Sequence, residues 1–211
     1  MPSAVISSQP DAPLRTLRVA EIFTSIQGEG AQAGYPCTFI RFQGCSVGCS
    51  WCDTKYTWDF AGGKPYTIDE LAAAPTTERV IFTGGEPVQQ PRAPMLELVR
   101  ALHARGRRIQ VETSGRFFAP WLNEVDWRTV SPKPPSYRID ARLLPIADEL
   151  KYVVDGEFDP KVVPPNTPAG CVISLQPEGN KPEFVAKALT WLFARTNWRL
   201  SVQLHKFLAL P

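Results

Sequence analysis

The sequence predicts an α/β fold: a partial (incomplete) TIM-type barrel with mostly parallel strands and few helices. Three observations carry this. Short apolar runs, often β-branched and bounded by Gly, Pro, Ser or Asp, recur along the chain and suit buried strands. Helical patterns stand between several of them, which favours a parallel sheet with helices packed outside. The chain has 211 residues, short of the roughly 250 that a full eight-fold barrel usually needs.

The expected strands are Leu17 to Phe23, Cys37 to Phe42, Val80 to Phe82, Ile109 to Val111, Asp126 to Val130, Leu150 to Val154, Cys171 to Leu175 and Leu200 to Leu204. A first helix is expected at Thr67, where Thr67 and Glu70 fit a capping box before Leu71. A second is expected over Pro94 to Ala104, closed by Gly106. A third begins near Pro182, a good first helical residue, and carries Phe184, Val185, Leu189, Leu192 and Phe193. The helical signal weakens after Gly115, so loops are expected to replace some crossovers. Residues 1–16, with Pro2, Pro10 and Pro13, read as a flexible N-terminal tail, and 17–211 as a single domain.

Composition narrows the class. A net charge of only +2 gives no reason to expect nucleic acid or an anionic membrane as partner. No apolar run approaches a membrane span, and the N-terminus lacks a signal-peptide core. Five cysteines, three of them bunched, suit a metal site in a reducing compartment better than a disulfide framework. A cytoplasmic protein is expected.

The bunched cysteines are Cys45, Cys49 and Cys52, spaced C-x3-C-x2-C. Their loop follows the strand ending at Phe42, so it sits at a strand's C-terminal end, where parallel α/β folds place their chemistry. Gly44 and Gly48 let the backbone bend so that three thiolates converge, and Trp51 is expected to pack over one face. Three thiolates are one ligand short of a closed zinc site. They are also one short of the four cysteines usual for a 4Fe–4S cluster. A cubane held by three leaves one iron open. Spacing alone leaves open a zinc site completed by His103, His205, Cys37 or Cys171, and an electron-transfer cluster. Cys37 and Cys171 read as packing residues of strands.

Further motifs stand at other strand ends. Thr83-Gly84-Gly85-Glu86-Pro87 follows the run Val80 to Phe82; its glycines permit close backbone approach to a ligand, and Glu86 can pair with an ammonium group. Ile26-Gln27-Gly28-Glu29-Gly30 precedes the cysteine loop, Arg41 lies four residues before Cys45, and Cys52-Asp53-Thr54 closes the loop. Glu112-Thr113-Ser114-Gly115, Ser131-Pro132-Lys133, Ser174-Leu175-Gln176-Pro177 and Gln203-Leu204-His205-Lys206 follow. The cysteine loop and the Gly-Gly-Glu-Pro turn resemble the radical S-adenosylmethionine enzymes. The full set, from about Leu17 to Pro211, resembles the 7-carboxy-7-deazaguanine synthase family.

The resemblance implies a partial barrel, a homodimer and a magnesium-dependent radical ring contraction. The substrate would be 6-carboxy-5,6,7,8-tetrahydropterin, and the products 7-carboxy-7-deazaguanine and ammonia. It implies a 4Fe–4S cluster on Cys45, Cys49 and Cys52, S-adenosylmethionine on the open iron, Mg2+ at Thr54, and an external one-electron reductant of the flavodoxin kind. Asp53 is chemically the better magnesium ligand, but the resemblance points to Thr54. S-adenosylmethionine contacts carry over to Trp51, Cys52, Asp53, Gly84, Gly85, Glu86, Ser131, Pro132, Lys133, Gln176, Pro177, Glu178 and Gly179. Substrate contacts carry over to Ile26, Gln27, Gly28, Arg41, Thr83 and Pro211. Arg41 suits a bidentate pair with the substrate carboxylate. A terminal carboxylate at Pro211 suits the adjacent N–H donors of a pterin edge, with Phe207, Leu208 and Leu210 expected to anchor it. His205 fits either a pterin contact or an edge-strand histidine, and Glu112 either a substrate or a buttressing role. No general base is assigned, so no catalytic residue is named beyond the cluster and the S-adenosylmethionine-derived radical. Two other readings share part of this pattern: a radical-enzyme activase of the same superfamily, and a non-enzymatic zinc or iron–sulfur module.

Overall fold

The computed structural model describes residues 15–211. Most of the expected N-terminal tail, residues 1–14, therefore lies outside the described residues. Nine strands form one sheet: β1 (Thr16–Ile26), β2 (Pro36–Phe42), β3 (Lys64–Thr67), β4 (Arg79–Gly84), β5 (Arg108–Thr113), β6 (Trp127–Val130), β7 (Glu149–Val154), β8 (Val172–Pro177) and β9 (Trp198–Leu200). Their order is β3-β1-β2-β4-β5-β6-β7-β8-β9. From β2 to β9 all neighbours are parallel. β1 runs antiparallel to both β2 and β3. The sheet has two edges, β3 and β9, so it is an open partial barrel.

Seven of the eight expected strands are present. The expected run Leu200 to Leu204 is not one strand. β9 stops at Leu200, and Leu204–Leu208 forms a short helix, α4, which follows α1 (Ile68–Ala73), α2 (Arg92–His103) and α3 (Pro182–Ala194). Ser201 N makes a last bond to Leu175 O at 2.9 Å, and Leu204 N then turns to Gly28 O at 2.9 Å. That diversion ends the ladder. β3 escaped the sequence reading because Pro65 lies inside it, and an edge strand is where a sheet tolerates proline. Thr16 already pairs with Thr67, so the ordered strand starts one residue before the expected boundary.

The strands alternate with period two, and the two faces differ in kind. Ile40 and Phe42, Val80 and Phe82, Ile109 and Val111, Leu150, Tyr152 and Val154, and Ile173 and Leu175 face outward into the main core, where Met95, Leu98 and Leu102 of α2 and Ala188 of α3 cover them. The intervening residues line the inside: Arg41, Thr83, Glu112, Lys151 and Gln176. The main hydrophobic core is thus the layer between sheet and helices; the barrel interior is largely polar, with a small apolar cluster of Cys37, Phe39 and Ile81 against Phe23. Beyond Gly115 the crossovers β5–β6 and β6–β7 are loops and 3₁₀ turns, as the fading helical pattern predicted.

α1 carries the expected capping box. Thr67 Oγ1 accepts from Glu70 N at 3.3 Å, and Glu70 Oε2 accepts from Thr67 N at 2.7 Å. With only six residues, α1 has little else to fix its start. Replacing Thr67 by Ala is expected to lower stability by about 1 kcal/mol in urea denaturation.

Candidate active site

The C-terminal ends of the parallel strands open onto one cavity of about 360 Å³. Cys45, Cys49 and Cys52 all line it and are all half-buried. Their loop is fixed from both sides. Gly44 N donates to Thr57 O at 2.7 Å, Cys45 N to Trp58 O at 3.2 Å, and Cys52 N to Cys49 O at 3.1 Å. Gln89 Oε1 accepts from Ser46 N at 2.9 Å, while Gln43 Nε2 donates to Tyr56 O and Asp59 O at 3.0 and 2.7 Å. Val47 N points at Cys45 Sγ at 3.4 Å, a donor of the kind that tunes iron–sulfur ligands. Burial pushes the Cys45 and Cys49 thiols up; Lys133 opposes this at Cys49. Metal ligation would reverse it, since thiolates are the ligands.

Among the described residues no three Cys, His, Asp or Glu side chains converge on a point that would hold a single ion. The fourth ligands that a zinc site would need are also misplaced. Cys37 opens β2, Cys171 precedes β8, and His103 is held by Asp126 at 3.0 Å beside the start of β6. All three lie at the opposite end of the strands from the cysteine loop. Only His205 shares its cavity. Three soft thiols lining one open cavity suit a three-cysteine 4Fe–4S cluster, which Cys45, Cys49 and Cys52 would hold.

The Gly84–Glu86 turn locks onto this loop. Gly85 N donates to Phe42 O and Glu86 N to Gly44 O, both at 2.9 Å. Gly84 has φ +116°, and a Cβ on Gly85 would strike the Gly44 carbonyl. Both glycines are therefore demanded by the protein's own backbone, whatever ligand approaches. Glu86 differs from expectation. Its buried carboxylate accepts from Thr113 Oγ1 at 2.7 Å, Ser114 N at 2.9 Å, Ser114 Oγ at 2.5 Å and Val88 N at 3.2 Å. Four donors fill a carboxylate's acceptor sites, so none is left for the expected ammonium partner.

The remaining cofactor candidates divide in two. Trp51, Asp53, Ser131, Lys133, Gln176, Glu178 and Gly179 line the cavity, but Pro132 and Pro177 do not. Both prolines are buried away from it. Lys133 Nζ donates to Ser131 Oγ at 2.7 Å and lies 5.0 Å from the Trp51 ring centre. Burial lowers its pKa, against the opposing pull of the Cys49 thiol. Thr54 lies in the wall, with Oγ1 3.5 Å from Cys52 Sγ.

Every substrate candidate also lines the cavity: Ile26, Gln27, Gly28, Arg41, Thr83 and Pro211. Arg41 donates Nε to Glu21 Oε1 at 2.6 Å and stacks over Phe23, its CZ 5.4 Å from the ring centre. Ser25 Oγ reaches Pro211 O at 3.1 Å. The apolar anchor expected for this segment is absent: Phe207 and Leu208 are 68% and 57% exposed. α4 is one short turn and presents them outward, so polar bonds hold the segment instead. His205 belongs to the cavity wall, and a Cβ on Gly28 would collide with its imidazole.

Four groups in the wall were missed or left unassigned: Glu29, Glu112, Lys151 and Gln203. Lys151 contacts Glu29 directly and lies 4.0 Å from Glu112. Gln203 Nε2 donates to Glu29 Oε1 at 2.8 Å, and Gln27 Nε2 and Thr83 Oγ1 donate to Glu112 at 3.0 and 3.1 Å. A sequence signal existed for Lys151: a lone cation in the apolar run from Leu150 to Val154. Desolvation by itself would raise the Glu29 pKa, but the Lys151 ammonium and the glutamine donors outweigh it and hold it at about 2. The folded value lies below the unfolded 4.5, so the stabilisation is complete above about pH 4.5 and is lost as pH falls toward 2. In acid titration followed by circular dichroism, Glu29→Gln should lower stability at neutral pH and flatten the fall between those values.

Comparison with known proteins agrees with this site. A family model described as a 4Fe-4S single cluster domain matches residues 26–169. The 7-carboxy-7-deazaguanine synthase of Synechocystis sp. is 37% identical over 91% of this chain and 92% of its own length. That of Escherichia coli is 34% identical over 90% and 97%. The crystal structure of QueE from Escherichia coli superposes with a TM-score of 0.73 at 31% identity, over 90% of this chain and 95% of that one. The chain belongs to the 7-carboxy-7-deazaguanine synthase family of radical S-adenosylmethionine enzymes.

Proposed function

We propose that this chain converts 6-carboxy-5,6,7,8-tetrahydropterin to 7-carboxy-7-deazaguanine with release of ammonia. The observation that carries the reading is the shared cavity: the three cysteines, Ser131, Lys133 and Gln176 line it together with Gln27, Arg41, Thr83 and Pro211. A 4Fe–4S cluster on Cys45, Cys49 and Cys52, together with S-adenosylmethionine, would supply one-electron radical chemistry for hydrogen abstraction from the substrate.

The chain's own residues bind and orient. Cys45, Cys49 and Cys52 would hold three irons of the cluster. Lys133 places a cation, and Ser131 and Gln176 place neutral polar groups, where a carboxylate, a ribose and an adenine edge would lie. Trp51, Asp53, Gly84, Gly85, Glu178 and Gly179 complete that wall. Arg41 keeps free donors after its bond to Glu21 and suits the substrate carboxylate. Pro211, tied to Ser25 Oγ, lines the same wall beside the substrate space. Thr54 would contribute one oxygen to Mg2+, whose remaining ligands come from substrate and water. Closing so small a polar space around the substrate keeps bulk water from the radical.

The same reading includes a homodimer, an external one-electron donor and a reducing cytoplasmic setting. Among the described residues no helix is long and apolar enough to cross a membrane.

Anaerobic reconstitution with iron and sulfide, then reduction with S-adenosylmethionine, Mg2+ and the carboxypterin, tests the reading. Mass spectrometry should show a deazapurine together with 5′-deoxyadenosine. Formation of 5′-deoxyadenosine without any deazapurine would point to another substrate.

A further inference from the structure

Lys151 is out of place in its own strand. Its neighbours Leu150, Tyr152, Val153 and Val154 are apolar and buried, yet its own side chain is only 6% exposed. A buried ammonium is tolerated only when paired and hydrogen-bonded. Its two partners, Glu29 and Glu112, are themselves junctions. Glu112 receives Gln27 from the loop after β1 and Thr83 from the end of β4. Glu29 receives Gln203, whose Oε1 receives Lys206 Nζ at 2.7 Å. Beside them, Leu204 N donates to Gly28 O at 2.9 Å. The segment 203–211 has no apolar anchor of its own, since Phe207 and Leu208 face solvent. The cysteine loop is held by other bonds, through Gln43, Glu86 and Gln89.

We propose that Lys151 is the positioning residue of the substrate half of the cavity. Its ammonium holds residues 203–211 over the floor through Glu29 and Gln203, and aims Gln27 and Thr83 through Glu112. The side chain need not touch the reacting atoms. It fixes the edges that would recognise a flat, N–H-bearing heterocycle, and leaves the cysteine loop and the Gly84–Glu86 turn unaffected. The kinetic part of this inference rests on the function proposed above; the structural part does not.

Two measurements test it. Hydrogen exchange on the reconstituted protein without substrate compares Lys151→Met, Lys151→Met/Glu29→Gln and wild type. Amides of Leu204, Lys206 and Leu210 should exchange about tenfold faster in the variants, while those of Ile40 and Phe82 stay within about twofold. In steady-state assays, KM for the carboxypterin should rise about tenfold with kcat within about threefold, and Lys151→Arg should restore most of the loss. Faster exchange throughout the sheet, an equal fall in kcat, or no change in either measurement would overturn the proposal. If wild type fails to turn over the pterin, the function reading fails and the exchange result still decides this one. Should Lys151→Met not fold, Gln203→Leu cuts the relay outside the ion pair and carries the same expectations.

Discussion

Three strand ends meet at the carboxylate of Glu86. Its oxygens take the donors at the end of β5, Thr113 and Ser114, while its backbone N–H takes Gly44 after β2, and the residue itself follows β4. A buried carboxylate with every acceptor site filled is stabilising, but one left short of a partner costs about 1–3 kcal/mol per missing bond. The cysteine loop hangs from this junction. Its entry, Gly44, is bonded to Glu86, and its first exposed turn is bonded to Gln89 in the 3₁₀ turn that follows. The spacing between the sulfurs and the rest of the cavity is therefore set by contacts among strands, not by the loop's own sequence.

The second constraint is the inversion of the usual barrel. A closed barrel fills its centre with branched apolar side chains. Here most apolar side chains face the helices, and beside a small cluster around Phe39 and Ile81 the centre holds charges and amides. This costs desolvation, which is why nearly every inward polar group is tied to another. Glu149 alone receives Ala31 N, Thr129 Oγ1 and Ser174 Oγ, at 2.9, 3.0 and 2.5 Å. Those bonds tie together the N-terminal ends of β6, β7 and β8 and the turn after β1, below the cavity. Gly30 packs against the same carboxylate, since a Cβ there would come within 2.7 Å of a Glu149 oxygen.

How much of this was legible in the sequence depended on how local each signal was. The cysteine loop, the Gly84–Glu86 turn and Ser131–Lys133 are contiguous motifs at strand ends, and all reach the cavity. Pro132, inside one of these motifs, and Pro177, at the end of β8, do not reach that wall; for Pro177 the reason is alternation, which turns every second strand residue away. Lys151 stands out locally as a lone cation in an apolar run, but its pairing with Glu29 spans 122 positions and no local pattern shows it. The role of Glu86 was read as ligand binding because its partners, Thr113 and Ser114, lie 27 and 28 positions away. α4 is five residues long, too short to show a helical period, and its apolar residues read as strand and anchor. The outward core was the most legible part, since burial against α2 and α3 follows directly from apolar runs and helical spacing.

The rim of the cysteine loop has a final consequence. Ser46, Gly48 and Ser50, which lie between the ligating positions, are all exposed. A cluster held by these three thiols would sit beside the protein surface, and solvent exposure is one of the levers that sets an iron–sulfur potential.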